Sequence, residues 1–269
     1  MPQLPLTDRQ FLKKQYRDAS NLNKRVQLHD LFSVNHYGWQ RWVFDQLDLA
    51  PRSRILELGC GPGHLWLENL TRISDGWEIT LSDLSAGMVE QARQNLAGKG
   101  PFQFKVINTQ SIPGEEEQFE AVIANHMLYH VPDRPAALRE IRRVLKPGGH
   151  FHASTVGERH LVEIRDLIVQ FDPALAAWGC VSASFTLENG LAQLAPWFGG
   201  IQLTRYGDAL EVTEAAPLVD YILSGWAQPI LEGRRAAFSD FITHALEEGG
   251  GSLHVSKDSG LFMSSKDGG

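Results

Sequence analysis

Cysteine is scarce in this chain of 269 residues, which has only Cys60 and Cys180. Two cysteines exclude a disulfide framework, and neither sits in a zinc-ligand spacing, so a reducing compartment is expected. Long apolar runs are missing too: none approaches the ~20 residues that cross a bilayer. The opening MPQLPLTDRQF lacks the basic-then-apolar pattern of a secretion signal. Positive charge is in deficit, with 25 Lys and Arg against 32 Asp and Glu and a formal net charge of −7. Nonspecific nucleic-acid binding asks for a basic face, so that class of partner is disfavoured. The basic residues that do cluster, Arg139, Arg142 and Arg143, share a segment with Leu138, Ile141 and Leu145 at helical spacing, the pattern of a solvated helix face. Repeats and low-complexity linkers are absent. From these gaps a cytoplasmic protein with no membrane or nucleic-acid partner is expected.

The composition that remains, 43% hydrophobic and 21% charged, is that of one globular domain over residues 1–269. Residues 1–50 have helical patterning: Trp39, Val43 and Leu47 recur every four residues, and Thr7 is placed to cap an earlier helix. From residue 54 short apolar strands alternate with amphipathic helices. RILEL, WEITLSD, FQFKVIN, FEAVIAN and HFHAST are the strands. Trp66, Leu70 and Ile73 mark one helix; Met88, Val89, Ala92 and Leu96 mark the next. A third helix, over about 134–145, ends at KPGG, a stop-and-turn signal. This alternation predicts a parallel sheet with right-handed crossovers and helices on both faces. After residue 155 the pattern becomes helical, then IQLTRYGDALEV and GSLHVSKDSGLFMSSK predict two more strands around two helices.

The segment RILELGCGPGHLW places Gly59, Gly61 and Gly63 directly behind a strand. Glycine there permits positive φ and lets a ligand approach the backbone. The carboxyl end of a central strand is where open α/β sheets bind ligands. A dinucleotide fingerprint would need a glycine at position 64, where this chain has His64. Glu57 puts a carboxylate two residues before the first glycine, repelling a pyrophosphate and attracting a cation. Asp83 ends the second strand, 26 residues after Glu57, and a carboxylate there can accept both hydroxyls of a ribose. The ligand predicted is a nucleoside with a cationic appendage and no phosphate.

ELGCGPG, LSDLS, FEAVIANHMLYHV and LREIRRVLKPGGHF come in an order and spacing that resemble class I S-adenosylmethionine-dependent methyltransferases, over about residues 54–155. The resemblance is greatest to the broad UbiE-like group, which acts mainly on small molecules. It implies a Rossmann-like, seven-stranded, mostly parallel sheet with the last strand antiparallel. Residues 1–50 would be a helical lid, 54–155 the cofactor-binding core and 156–269 the substrate-side insertions with the closing strands. It also implies S-adenosylmethionine as cofactor. Glu57, Gly59, Cys60, Gly61 and Gly63 would surround its methionine part and Asp83 its ribose hydroxyls. Leu84 and Met88 would pack on adenine, with Asn108, Thr109 and Gln110 along its edge. Asn125 and His126 would lie near the amino acid end. The family often has Asp where this chain has Asn108, whose amide can accept without charge or can simply form a turn.

Methyl transfer from a sulfonium is an in-line displacement with a good leaving group, so positioning supplies much of the rate. A base is needed only for an acceptor protonated at working pH. The catalytic residue stays open; His126 and His130 are candidates, each also readable as a structural hydrogen bonder or pocket wall. His150 and His152 alternate on one strand and so share a face, but no carboxylate or cysteine has ligand spacing with them, and no metal is expected. His160 opens the segment after the fifth strand and could face the substrate. Tyr16 and Trp39 are readable as aromatic lid residues over the sulfonium or as surface and core residues respectively. Trp178, Phe185, Tyr221 and Trp226 are readable as pocket lining or as the core of the helical insertions.

Overall fold

Seven strands form one sheet in the order β3-β2-β1-β4-β5-β7-β6. The strands are β1 (Arg54–Leu58), β2 (Glu78–Asp83), β3 (Phe102–Val106), β4 (Phe119–Ala124), β5 (Leu145–Val156), β6 (Gly199–Val212) and β7 (Leu253–Ser265). The computed structural model describes residues 20–178, 184–225 and 231–267. Thr7, Tyr16, Cys180, Trp226 and the side chain of Trp178 lie outside the described residues. The first five strands pair in parallel, and β7 runs antiparallel to both β5 and β6. The architecture is the Rossmann-like sheet expected, its last strand antiparallel.

The helices are α1 (Ser20–Phe32), α2 (Trp39–Asp45), α3 (His64–Leu67), α4 (Ala86–Leu96), α5 (Arg134–Val144), α6 (Val162–Phe171), α7 (Gly190–Leu194), α8 (Ala215–Leu223) and α9 (Arg235–Glu248). In α4 the residues picked out by helical spacing, Met88, Val89, Ala92 and Leu96, are the buried ones, and Ser85 caps the helix through the Met88 N–H. Burying each large apolar side chain contributes about 1.5–3 kcal/mol. In α5 the Asp133 side chain accepts from the Ala136 N–H, while Leu138 and Ile141 face the sheet.

Two local expectations are corrected. Trp66, Leu70 and Ile73 do not share one helix, because α3 stops at Leu67 and a 3-10 turn spans Leu70–Arg72. Asn69 breaks the run: its side chain donates to the Leu65 carbonyl at 2.7 Å and the Gln40 carbonyl at 3.2 Å, and its backbone leaves helical geometry. KPGG is not a turn ahead of the fifth strand but a bulge inside it. Leu145 pairs with Phe119, the register slips, and Ala121 then pairs with His150. Gly148, at φ +73°, donates to the Lys266 carbonyl, and Lys266 returns a bond to Gly149.

Three apolar clusters result. One packs α5 and α7 on one face through Leu138, Phe151 and Phe262, and another packs α2, α3 and α4 on the opposite face through Val43, Trp66 and Leu96. A third joins α1, α6, α8 and α9 over the far halves of β6 and β7. Phe185 is core against Phe262, whereas Tyr221 faces the cavity described next.

Candidate active site

The chain winds from β1 outward through β2 to β3, then returns to place β4 and β5 on the other side of β1. The carboxyl ends of β1 and β4 therefore flank the topological switch point, where such sheets bind ligands. A cavity of about 1630 Å³ opens there. Typical single-ligand pockets are about 300–1000 Å³, so this one has room for two molecules side by side.

The loop after β1 forms one wall. Gly59 has φ +71°, and a Cβ on it would lie 2.7 Å from the Met127 Cβ. Only glycine allows that turn and that approach of the β1 and β4 loops. Gly59, Cys60 and Gly61 line the cavity. Gly63 is not among its lining residues: at φ +82° it enters α3, and a Cβ there would meet Leu96 at 2.7 Å. Its glycine is required by helix packing. The Cys60 thiol is buried, and burial with the nearby Glu57 and Asp83 pushes its pKa well up, the opposite of an activated thiol.

Two carboxylates face the same space. Asp83 accepts from the Gly61 N–H at 3.1 Å through one oxygen and from the Ser85 N–H at 2.8 Å through the other. Each oxygen keeps acceptor capacity for a diol. Burial raises its pKa and those backbone bonds oppose the rise. Glu57 is 2% exposed and accepts from the Trp66 indole N–H at 2.7 Å. Burial pushes its pKa up to about 7, with the Asp83 charge adding to the rise.

Leu84, 51% exposed, and Met88, 1% exposed, both line the cavity. So do Asn108, Thr109 and Gln110. Asn108 is a turn former in this loop, because its side-chain oxygen accepts from the Gln110 N–H at 3.1 Å and its carbonyl from the Ser111 N–H.

The loop after β4 supplies Asn125, His126, Tyr129 and His130. His126 has φ +52°, held by its backbone N–H donating to Ser154 Oγ at 2.9 Å. Its ring lies 4.8 Å from that of Trp39. The Trp39 indole N–H donates to Asn125 Oδ1 at 3.3 Å, and its ring meets Tyr206 edge-on. Trp39 is thus both packed and part of the cavity wall. His130 sits edge-on to Tyr129 at 4.5 Å.

The far wall comes from α1, β6, β7 and the residues after β5, and it holds groups that sequence patterning passed over: His29, Ser33, Tyr206, Asp208 and Lys257. Lys257 and Asp208 form an ion pair with side chains 9% and 1% exposed. Asp208 also accepts from Ser33 Oγ at 3.1 Å and the Asn35 N–H at 3.0 Å, stitching the strap between α1 and α2 onto the sheet edge. The signal available was the alternation Val255, Lys257, Ser259, which puts a lysine on an otherwise inward strand face. Burial pushes the pKa of His126 down to about 4 and that of His29 down to about 3, with Lys257 adding to both. His160, also on this wall, is pushed well below the usual range by the same causes. All three rings are neutral at physiological pH and act as hydrogen-bonding walls more than strong bases. Among the described residues no three His, Cys, Asp or Glu side chains converge as a metal site; His150 and His152 lie with ring centres 6.3 Å apart.

The donor set suits an adenosyl cation. A positive-φ glycine loop pressed against Met127, a carboxylate braced by two backbone N–H groups and a second buried carboxylate suit a diol and a cation and would repel a pyrophosphate. Comparison with known proteins agrees. Residues 56–153 match the family described as Methyltransferase domain. The ubiquinone/menaquinone biosynthesis C-methyltransferase UbiE of Xanthomonas oryzae is 32% identical over 126 residues, covering 45% of this chain and 50% of that protein. The chain thus spans about half the length of the curated relatives it matches. The fold is shared with the YcgJ protein of Bacillus subtilis, at TM-score 0.59 and 18% identity over 86% of this chain and 98% of that one. It is also shared with phosphoethanolamine N-methyltransferase 2 of Haemonchus contortus, solved in complex with S-adenosyl-L-methionine, at TM-score 0.58 and 17% identity over 96% of this chain and 60% of that one. No helix among the described residues is long and apolar enough to cross a membrane. The match to a methyltransferase domain thus falls on the stretch that carries the glycine loop, Asp83 and the β4 loop, and the solved structures share the fold around it.

Proposed function

We propose that this protein transfers the methyl group of S-adenosylmethionine to a small-molecule acceptor held between the glycine loop and the β6–β7 wall. The observation that carries this is the continuity of one cavity from Asp83 and Gly61 to His160 and Lys257. In this reading Asp83 accepts the ribose hydroxyls and Glu57 faces the ammonium. Gly59, Cys60 and Gly61 follow the methionine chain with their backbone, and Gly63 supports the loop from behind. Leu84 and Met88 pack on adenine, with Asn108, Thr109 and Gln110 along its edge. Asn125 and His126 flank the amino acid end. The role of Tyr16 as a lid residue belongs to the same proposal.

When bound, the cofactor supplies an electrophilic methyl on sulfur with a neutral thioether as leaving group. What the chain contributes is orientation and exclusion of water. Trp39, Tyr129, Tyr206 and Tyr221 offer flat apolar surface for an acceptor with an O, N or C nucleophile. Because the matched relative is named a C-methyltransferase, carbon is the first acceptor atom to test. His126 and His130 are the groups nearest the β4 loop able to take a proton. Residues 1–50 act as the lid and 156–269 as the substrate side. The acidic net charge argues against a nucleic-acid partner, and the reading is completed by a cytoplasmic monomer or homodimer without a membrane partner.

Calorimetry with S-adenosylhomocysteine, NAD and NADH tests the cofactor, with binding expected only of the first. Incubation with methyl-labelled S-adenosylmethionine and a metabolite extract tests transfer. Binding of the nicotinamide nucleotides alone overturns the assignment, and binding without transfer to any acceptor leaves a cofactor-binding module.

A further inference from the structure

The far wall of the cavity carries a histidine whose tautomer is set by the backbone. His160 follows β5 and packs against β7, where the backbone N–H of Asp258 donates to its Nδ1 at 3.1 Å. That N–H is itself fixed: Asp258 pairs with Gly207 across β6, its carbonyl accepts from the Gly157 N–H at 2.8 Å, and its carboxylate pairs with Arg205. A ring nitrogen that accepts carries no proton, so the neutral imidazole of His160 holds its proton on Nε2. The ring lines the cavity, which leaves the Nε2–H as its donor toward a bound molecule.

The neighbours decide what that donor can serve. Lys257, His29 and His126 are the basic groups beside His160; the two rings are neutral and Lys257 is paired with Asp208. Asp208, the buried carboxylate on this wall, is engaged by Lys257, Ser33 and the Asn35 N–H, while Asp30 and Glu158 are exposed lining residues of the same cavity. Beside His160 an ammonium group would meet a carboxylate already engaged by a lysine, whereas an oxygen would meet an oriented N–H.

We propose that His160 is the positioning residue for the methyl acceptor, and that the acceptor presents a hydroxyl, carbonyl or anionic oxygen to its Nε2–H. This rests on the methyltransferase reading. It narrows the acceptor to an oxygen-bearing class at the end remote from the glycine loop, whichever atom receives the methyl.

The probe is 4-nitrophenol, whose visible absorbance reports its ionisation, added to the full-length protein saturated with S-adenosylhomocysteine. Choline serves as an ammonium probe of similar size. The variants are His160→Asn, whose side-chain oxygen can still accept from the Asp258 N–H but which lacks the remote donor, and His160→Gln, which reaches the Nε2 position. Nitrophenol is expected to bind the wild type with its absorbance shifted toward the phenolate, and choline is not expected to compete. His160→Asn should bind nitrophenol about tenfold or more weakly, as for a lost hydrogen bond to a charged group. His160→Gln should restore part of the affinity and of the shift, and both variants should bind S-adenosylhomocysteine like the wild type. Loss of S-adenosylhomocysteine binding by the wild type sinks the methyltransferase reading itself. Normal S-adenosylhomocysteine binding overturns the proposal about His160 if it comes with no nitrophenol binding, with equal affinity in wild type and His160→Asn, or with displacement by choline.

Discussion

If Glu57 faces the ammonium of the cofactor as proposed, cofactor affinity must depend on pH. In the free protein its carboxyl is buried and its pKa stands at about 7, so near neutrality about half the molecules carry the proton. An ammonium group brought beside it favours the carboxylate and lowers that pKa. The bound state then holds fewer protons than the free state, so affinity rises with pH and falls as pH drops through 7. If the pKa in the complex is about 5 or lower, affinity for S-adenosylhomocysteine at pH 5.5 is roughly 20- to 30-fold weaker than at pH 8, about 2 kcal/mol. At pH 7 binding releases about 0.5 proton per ligand on the same linkage. Calorimetry in two buffers of different ionisation enthalpy reads both quantities. Glu57→Gln cannot titrate; its affinity should be nearly flat over this range and close to that of the wild type at pH 5.5. An affinity for the wild type that does not change between pH 5.5 and 8, or slopes that match in wild type and Glu57→Gln, would refute the placement of Glu57 against a cation.

Three other outcomes are expected. Asp83→Ala removes the acceptor of the Gly61 and Ser85 N–H groups along with the proposed ribose contact, and it should weaken S-adenosylhomocysteine binding by about 10- to 100-fold, about 1.5–3 kcal/mol, while circular dichroism shows the fold retained. Gly59→Ala meets both a positive φ and Met127 at 2.7 Å and should cost about 2–4 kcal/mol in urea unfolding; Gly98→Ala, at φ +69° with nothing within 4 Å, should cost about 1 kcal/mol. His152 is 4% exposed, neither ring nitrogen finds a hydrogen-bond partner among the described residues, and burial holds its pKa down to about 3. Its folded pKa lies below the unfolded value, so its neutral form supports stability above pH 6.5 and that support is lost as pH falls below 6.5. The loss is about 2 kcal/mol by pH 5, and His152→Leu, followed by urea unfolding at pH 7 and pH 5, should shed that part of the acid sensitivity.

The glycine-loop side of the cavity was legible because it is local. Strand, glycine loop and helix follow one another within residues 54–67, and the strand-end acid Asp83 is one βα unit further on. Periodicity named the buried face of α4 residue by residue, since a helix that packs on a sheet must repeat its apolar contacts. Asn69 and the KPGG bulge escaped it. A side-chain bond across to Gln40 and strand pairing with Lys266 override local propensity, and neither partner is near in sequence. Gly63 looked like Gly59 and Gly61 in the motif, yet Leu96 behind it gives it a packing role.

The sequence by itself determined the alternation of strands and helices, the glycine-lined crevice and the two acids at its edge, because these follow from residue type and spacing along a continuous stretch. Only the tertiary structure decided the far wall. With β7 inserted antiparallel between β5 and β6, Lys257 comes against Asp208 and Ser33, and Asp258 sets the tautomer of His160. Packing also decided the charge states: removal of water raises the Glu57 pKa to about 7 and keeps His29, His126, His152 and His160 neutral near pH 7. Periodicity specifies which way a side chain points from its own strand; what it meets, and how dry that place is, depends on elements far away in the chain.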